Sequence, residues 1–448
     1  MNNNLFLLKS FSIFFQHNPR RLLTLFLITL FLGFNQGISI LLLIPLLNLL
    51  NPEAAQQTGG RWVETLNRFM EQTGLGLSIG SVLLLFACCL IAIALLHYLQ
   101  SVYQSSYQQA FSFEIRKRLY KKMLGADWHF LHEKSKFSHL QVLTSEIPKM
   151  SLYYYHYLGL ATKIIFVGVH VALAATVSVS FTLFVASTGI LLFLLLRGYL
   201  HTSLQLGNKN NLAFRGMLKH IDDFWSTVKL AKVHHSESFY FKKFVKTSQM
   251  LLTWQNQQTL NRSVPQLLFT LAGLLVLSGV VYAEVVWFEL PFTTLFVLIL
   301  LFGRIFPQFM AIHSDLNQLI SNVSSTKMVL QMDRSMPEKE IESTPPQGSI
   351  SLSKHLSINN LSFGYNGQPN LFNHFSTTIP AHALTGIMGA SGCGKTTLID
   401  ILAGLHGAFE KQLYIDDKPL SSSLLPLWQS KLGYLPQDPV FVDGTLRE

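Results

Sequence analysis

Uncharged stretches of membrane-spanning length are what most constrain this chain. From Leu22 to Pro52 no side chain is ionisable. The run LLTLFLITLFLGFNQGISILLLIPLLNLL exceeds the roughly 20 residues that an α-helix needs to cross a bilayer. It is too long for the apolar core of a signal peptide, and no small-residue cleavage site follows it. A first membrane helix is expected here, led by a short interfacial segment (Leu5–His17) and the basic pair Arg20–Arg21. Gln72–Phe113 holds no Asp, Glu, Lys or Arg. As a helix it would be roughly 60 Å long, about twice the hydrocarbon thickness. Its second half, YLQSVYQSSYQQAFSF, is polar, so the helix is expected to leave the membrane and continue into water. Ile164–Leu196 is again free of charge and too long for one span, with SVSFT (Ser178–Thr182) as the natural turn between two helices. Two more spans are expected at Val264–Ala283 and from Leu290 past Arg304. The pattern predicts six spans, near 22–50, 78–104, 153–178, 181–204, 264–283 and 290–313.

Charge placement orients these spans. Charged residues make up 13% of the chain, about half the ~25% of a soluble domain, which argues against a disordered chain or an ordinary cytosolic enzyme. The net charge is +10, and the cations are localised. Arg116, Lys117, Arg118, Lys121, Lys122, Lys134 and Lys136 lie between spans two and three. Lys209, Arg215, Lys219, Lys229, Lys232, Lys242, Lys243 and Lys246 lie between spans four and five. By the positive-inside rule both segments and both termini face the cytoplasm, and the expected location is a cell membrane, inner or plasma. The basic balance then has a membrane explanation, and nucleic acid is not an expected partner. Gly and Pro are sparse in the two cytoplasmic segments. They read as helices extending past the membrane, bent at short crossings around Lys134–Leu143 and His220–Val228. Cys88, Cys89 and Cys393 form neither a disulfide framework nor a zinc-site spacing.

The composition changes after Asp333. Arg334–Gly348 (RSMPEKEIESTPPQG) is charged, holds three prolines and reads as a linker. Beyond it, strands are expected at Ser349–Leu352, Leu356–Phe363, Leu384–Met388, Gln412–Ile415 and Leu432–Leu435, with a helix over Lys395–Leu405. Gly389–Thr396 reads GASGCGKT, a complete G-x-x-x-x-G-K-T phosphate-binding loop between an expected strand and an expected helix. Gly389, Gly392 and Gly394 let backbone N–H groups turn inward onto phosphate oxygens. The helix start adds a positive dipole end. Lys395 is placed to reach the β- and γ-phosphates, and Thr396 to offer a hydroxyl to Mg²⁺. The candidate nucleotide contacts are Gly389, Ala390, Ser391, Gly392, Cys393, Gly394, Lys395, Thr396 and Thr397. Tyr365, in LSFGY, is a candidate for stacking on an adenine ring, or else an ordinary strand aromatic. Gln437, in GYLPQDPVF, is a candidate Mg²⁺ contact through its amide oxygen, or else a turn residue beside two prolines.

Taken together, six spans, long cytoplasmic helix pairs, a linker, then LSFGY, GASGCGKT and GYLPQDPVFVDGTLRE resemble an ATP-binding cassette (ABC) exporter half-transporter. The resemblance covers essentially the whole chain. It implies a polytopic α-helical membrane domain of the type-1 exporter kind (residues 1–333), a linker (334–348) and the N-terminal part of an α/β P-loop nucleotide-binding domain (349–448). It implies Tyr365 as the adenine-stacking aromatic, Gln437 as the Q-loop glutamine and the two crossing segments as coupling helices. ATP and Mg²⁺ follow as cofactors. Membrane lipid and a second half-transporter, in a homodimer, follow as partners. Two nucleotide domains would sandwich two ATP molecules and drive inward–outward switching, exporting a lipid, peptide or amphipathic small molecule.

The sequence departs from the family pattern in one respect. No LSGGQ-type signature, Walker B carboxylates or switch histidine follow the loop by Glu448. LYIDD (Leu413–Asp417) ends an apolar run in two acids but comes too early, at a position that is a turn in the family. No catalytic residue is therefore assigned, and the alternative reading is a non-hydrolysing remnant or regulatory partner subunit. A nucleotide-gated channel is disfavoured because no filter-like segment appears. Lys163 and Arg304 lie in otherwise uncharged helices. A charge there costs about 2.5–3.5 kcal/mol on insertion scales, so both are candidates to line a substrate pathway that favours an anionic or amphipathic molecule. The alternative is that both snorkel to the cytoplasmic interface. His97, His156 and His170 read as packed or cavity-facing residues rather than metal ligands.

Overall fold

The computed structural model describes residues 19–42, 79–133, 136–283, 286, 292–336, 348–365, 369–407 and 410–436. The chain forms two compact units. One comprises Met1–Tyr120 and Phe137–Ser335, and the other comprises Lys121–Lys136 and Met336–Glu448.

The helices run in the order α1 (Pro19–Leu41), α2 (Ile79–Leu124), α3 (Trp128–Glu133), α4 (Lys136–Gln141), a π turn (Val142–Glu146), α5 (Ile147–Val177), α6 (Val179–Leu195), α7 (Arg197–Ser226), α8 (Val228–Val233), α9 (Glu237–Ala283), α10 (Phe292–Ser321) and α11 (Val323–Ser335). Among the described residues four helices are long and apolar enough to cross a membrane, or five if the bent pair α6–α7 is one span. Residues 43–50 of the first expected span lie outside the described residues. α2 and α9 have 46 and 47 residues, roughly 70 Å each at 1.5 Å per residue, so each far exceeds a bilayer. Pro265 and Pro307 stand inside α9 and α10.

The breaks between helices have local causes. Ser178 leaves the helical region at φ −153°, and its hydroxyl accepts from the Phe181 N–H at 3.4 Å, capping α6. That is the turn expected at SVSFT. A second break, which the sequence did not announce, falls at Leu196 and bends the chain by 41°. Its carbonyl leaves the regular ladder, accepting from the Tyr199 N–H at 3.1 Å and from His313 Nε2 at 3.3 Å. The crossing expected at His220–Val228 is displaced. Residues 220–226 are the last turns of α7, and the short helix is α8, one step later. HIDDFWS contains no helix breaker. The helix ends at Thr227, whose hydroxyl donates to the Asp223 carbonyl at 2.7 Å and meets the Tyr240 hydroxyl at 2.8 Å. Around the first expected crossing lie α3 and α4, with Lys134 and Ser135 outside the described residues.

The apolar core of the membrane unit joins Phe181 and Val185 of α6, Phe269 and Val280 of α9, and Val297, Leu298, Leu301, Phe302, Ile305 and Phe306 of α10. α7 crosses the end of α10 at Gly207, where any Cβ would collide with the Ser321 carbonyl oxygen. Interhelical amides add to this packing. Asn261 Nδ2 donates to the Tyr199 carbonyl at 3.0 Å and to Ser203 Oγ at 2.7 Å. Lys149 Nζ donates to Asn211 Oδ1 at 2.8 Å, and Asn211 Nδ2 to Ser325 Oγ at 3.1 Å.

The other unit carries a four-stranded antiparallel sheet in the order β2-β1-β3-β4: β1 (His355–Phe363), β2 (Phe372–Pro380), β3 (Leu413–Ile415) and β4 (Lys418–Pro419). Helices α12 (Lys395–Leu402) and α13 (Leu425–Gln429) lie in the same unit. Leu356, Ile358 and Leu361 of β1, with Leu413 and Ile415 of β3, bury against Leu398 and Ile401 of α12 and Trp428 of α13. The indole N–H of Trp428 donates to the Leu402 carbonyl at 2.9 Å and satisfies the C-terminal end of α12.

Three expected strands do not form. Ser349–Leu352 is irregular, and so are Leu384–Met388 and Leu432–Leu435. Leu384 and Met388 are almost fully exposed, as is Leu435 at 84%. An apolar run reports a tendency to be buried, but a strand also needs a neighbour to bond, and the described sheet ends at β2 and β4. The linker expected at 334–348 falls mostly outside the described residues, and Arg334 continues α11.

Candidate functional site

The loop between Leu384 and α12 keeps the geometry that its glycines allow. Gly392 and Gly394 sit at φ +81° and +97°, in the left-handed region that a Cβ penalises. Gly394 is the N-cap of α12, so the chain turns from the loop straight into the helix start. A side chain at 394 would press on Leu371 and Phe372 of the β2 approach at 2.8–3.0 Å. The loop therefore packs on the sheet through its backbone. The ammonium of Lys395 folds over it, donating to the carbonyls of Gly389 at 3.0 Å and Ala390 at 2.8 Å. Thr396 is exposed at the first turn, whereas Thr397 is buried beneath it.

Tyr365 comes to the same place from the end of β1. Its hydroxyl lies 3.1 Å from Thr397 Oγ1. Its ring meets Phe363 and His406 edge-on at centroid distances of 5.3 and 5.8 Å. The structure thus brings Tyr365 to the helix start that carries Lys395 and Thr396. A half-buried aromatic, a cationic ammonium, an exposed hydroxyl and a helix N-terminus are chemically suited to an aromatic base, a phosphate chain and a hard cation. Gln437 lies outside the described residues.

The acids of LYIDD serve the backbone. Asp416 and Asp417 occupy the two central positions of the β3–β4 hairpin at φ +47° and +68°, the pair of left-handed residues that a tight hairpin needs. The Asp416 carboxylate accepts from the backbone N–H groups of Ser353, Lys354 and His355 at 2.7, 2.7 and 3.0 Å. These bonds, with Ser353 and Lys354 foremost, hold its pKa below the usual carboxylate value.

A second polar site lies in the membrane unit, in a cavity of about 330 Å³ bordered by α1, α2, α5 and α10. Lys163 and Arg304 both line it, but their circumstances differ. The Lys163 ammonium is bonded to Asp315 Oδ2, while Asp315 Oδ1 lies 3.1 Å from His156 Nδ1. Gly159, between His156 and Lys163 on the same face of α5, leaves room for this carboxylate: a Cβ there would come within 2.8 Å of Oδ2. Arg304 has no hydrogen bond or ion pair among the described residues. Gln36 Nε2 bonds His97 Nε2 at 2.7 Å, and Gln100 Nε2 donates to Thr29 Oγ1 at 3.0 Å, both on the cavity wall. His170 stacks on Phe166 at 4.0 Å, with Nδ1 on the Phe166 carbonyl at 2.9 Å.

Sequence reasoning passed over Asp315, Gln36 and Gln308 as cavity residues. The signal for Asp315 was present, because it is the only acid in α10, as Arg304 is its only Lys or Arg. His156, Gly159 and Lys163 also share helical spacing.

Comparison with known proteins bears on both regions. Residues 372–448 match the family described as ABC transporter. The chain is 25% identical over 378 residues to the uncharacterized ABC transporter ATP-binding protein YfiB of Bacillus subtilis, covering 78% of this chain and 61% of that protein. It is 29% identical over 136 residues to the mitochondrial iron-sulfur clusters transporter ATM1 of Chaetomium globosum, covering 30% of this chain and 22% of that one. Over 114 residues it is 34% identical to ABC transporter C family member 6 of Arabidopsis thaliana, covering 25% of this chain and 8% of that protein. The chain thus spans between 8% and 61% of the length of these relatives.

Proposed function

We propose that this chain is one protomer of an ATP-driven exporter, whose C-terminal segment, of the ABC transporter family, binds nucleotide and whose helical unit carries cargo across a membrane. The observation that carries the reading is the placement of Lys395 and Thr396 at the start of α12, behind two left-handed glycines and beside Tyr365. In this reading Tyr365 takes the adenine face and the backbone N–H groups of Gly389–Thr397 face the phosphates. Lys395 exchanges its loop carbonyls for phosphate oxygens, and Thr396 with Gln437 holds Mg²⁺. Mg²⁺-ATP, when bound, supplies the charge and the phosphoanhydride bond that such a motor consumes.

The domain limits proposed are 1–333 for the membrane domain, 334–348 for the linker and 349–448 for the nucleotide segment. Six spans follow if α1 and the remainder of the Leu22–Pro52 run form the first and α6–α7 the fourth. The Lys/Arg-rich segments after spans two and four put both termini on the cytoplasmic side. A second, identical protomer completes the transporter, and Lys163 and Arg304 border its substrate pathway.

The test is photoaffinity labelling of the intact chain in lipid with an azido-ATP analogue. Labelling competed by Mg²⁺-ATP and lost in Lys395→Ala is the expected result. An unlabelled chain at millimolar analogue removes the reading.

A further inference from the structure

The cavity beside Arg304 adjoins a second compartment of opposite character, and we propose that together they receive an amphipathic anion, its charged head at Arg304 and its acyl-like tail beside α1. This rests on the exporter reading, for which it names the class of cargo.

The head position follows from charge. Of the two cations on the cavity wall, Lys163 is already neutralised by Asp315. Arg304 has no hydrogen-bonding or ionic partner among the described residues, and Gln308, one turn further along α10, borders the same space. A guanidinium presents a fork of donors that fits a carboxylate or phosphate. An uncompensated charge at membrane depth is costly, so a mobile anion is favoured there. A cationic head would meet repulsion from Arg304, and a neutral one would leave it uncompensated.

The tail position follows from shape. A second cavity, of about 250 Å³, is lined by Leu22, Leu25, Phe26, Leu158 and Ile165. It shares Thr29, Gln104 and Thr162 with the polar cavity. The two spaces therefore meet at one polar threshold. Leu23 and Phe26, on the same stretch of α1, are 61% and 48% exposed, so the apolar compartment borders a surface that bilayer lipid would cover. The combined space lies within the usual range of ligand pockets.

The experiment uses the full chain in phosphatidylcholine nanodiscs without nucleotide, titrated with dodecyl phosphate, inorganic phosphate and dodecyltrimethylammonium. Dodecyl phosphate is expected to bind at least about tenfold more tightly than either of the others. Arg304→Gln should weaken it about tenfold, and Arg304→Lys, which keeps the charge but not the fork of donors, by less. Ala161 also lines the apolar cavity, and Ala161→Phe, which fills it, should weaken dodecyl phosphate and leave inorganic phosphate unchanged. Equal binding of the cationic amphiphile overturns the proposal. So does an Arg304→Gln protein that elutes as a folded species and binds dodecyl phosphate as before. Competition from phosphatidylglycerol added to the disc identifies a membrane lipid as the source of the anion, and its absence a soluble amphiphile; both uphold the class. A fluorescent ATP analogue titrated into the same discs separates the two readings. Nucleotide bound without dodecyl phosphate removes only the cargo class, whereas no bound nucleotide removes the exporter reading.

Discussion

The glycine loop before α12 and the membrane cavity are built in opposite ways. The loop is one contiguous stretch whose conformation is dictated locally, by glycines at φ +81° and +97° and a helix that starts at Lys395. The cavity is assembled from α1, α2, α5 and α10, whose lining residues range from Thr29 to Asp315. A local site is stiff and depends on one or two atoms. A distributed site shares its charges among partners, so removing one changes what the others do. The two should therefore respond differently to single substitutions.

The largest effect is expected at the loop. Lys395→Ala removes the ammonium without touching the sheet, and affinity for a fluorescent ATP analogue should fall about a hundredfold. Binding of an amphipathic anion in the membrane unit should be unchanged. If both fall together, the two sites are not independent and the contrast fails.

Asp315→Ala should come next. It strands Lys163 and removes the acceptor facing His156. Breaking a well-buried pair costs about 3–5 kcal/mol. Here the Lys163 side chain retains 28% exposure, which argues for about 2 kcal/mol, read as lowered thermal stability of the detergent-solubilised chain. The double variant Asp315→Ala with Lys163→Met should recover most of the loss, because the orphaned charge goes with its partner. Equal loss in single and double variants would mean that the pair is not coupled.

The same contrast explains what the sequence disclosed. GASGCGKT is legible because every residue that the loop needs lies in one window, and the helix start at Lys395 came with it. The long helices α2 and α9 were legible because charge-free runs and sparse Gly and Pro leave few alternatives. Asp315 was visible as the single acid of α10, but its partner was not, since that depends on which helix faces α5, and periodicity within α10 does not specify it. Leu384–Met388 reads as a buried strand yet is exposed, because apolar content predicts burial but not the neighbour that supplies hydrogen bonds. The break at Leu196 was hidden for the same reason, its freed carbonyl being answered by His313 on another helix.

A smaller effect is expected at Gly394→Ala. The left-handed conformation costs a β-carbon roughly 1–2 kcal/mol, and the added methyl would press on Leu371 and Phe372. ATP affinity should fall about tenfold, with the sheet retained by circular dichroism. An unchanged affinity would show that the loop tolerates another path into α12.

The smallest expected effect distinguishes two acids that look alike in sequence, Asp315 inside the membrane unit and Asp416 on a hairpin. Asp416 receives three backbone N–H donors, which favour its charged form and lower its pKa from the ordinary 3.8. A carboxyl depressed in the folded state contributes stability that is present above the unfolded value and lost as pH falls through the folded one. Protection of the Ser353, Lys354 and His355 amides against hydrogen exchange should accordingly hold above pH 3.8 and weaken below it. Asp416→Asn keeps the hairpin residue and the acceptor oxygen but removes the charge, so its protection should be lower throughout and flat across that window. A wild-type chain that is flat there as well would mean that the three bonds hold a neutral carboxyl equally well.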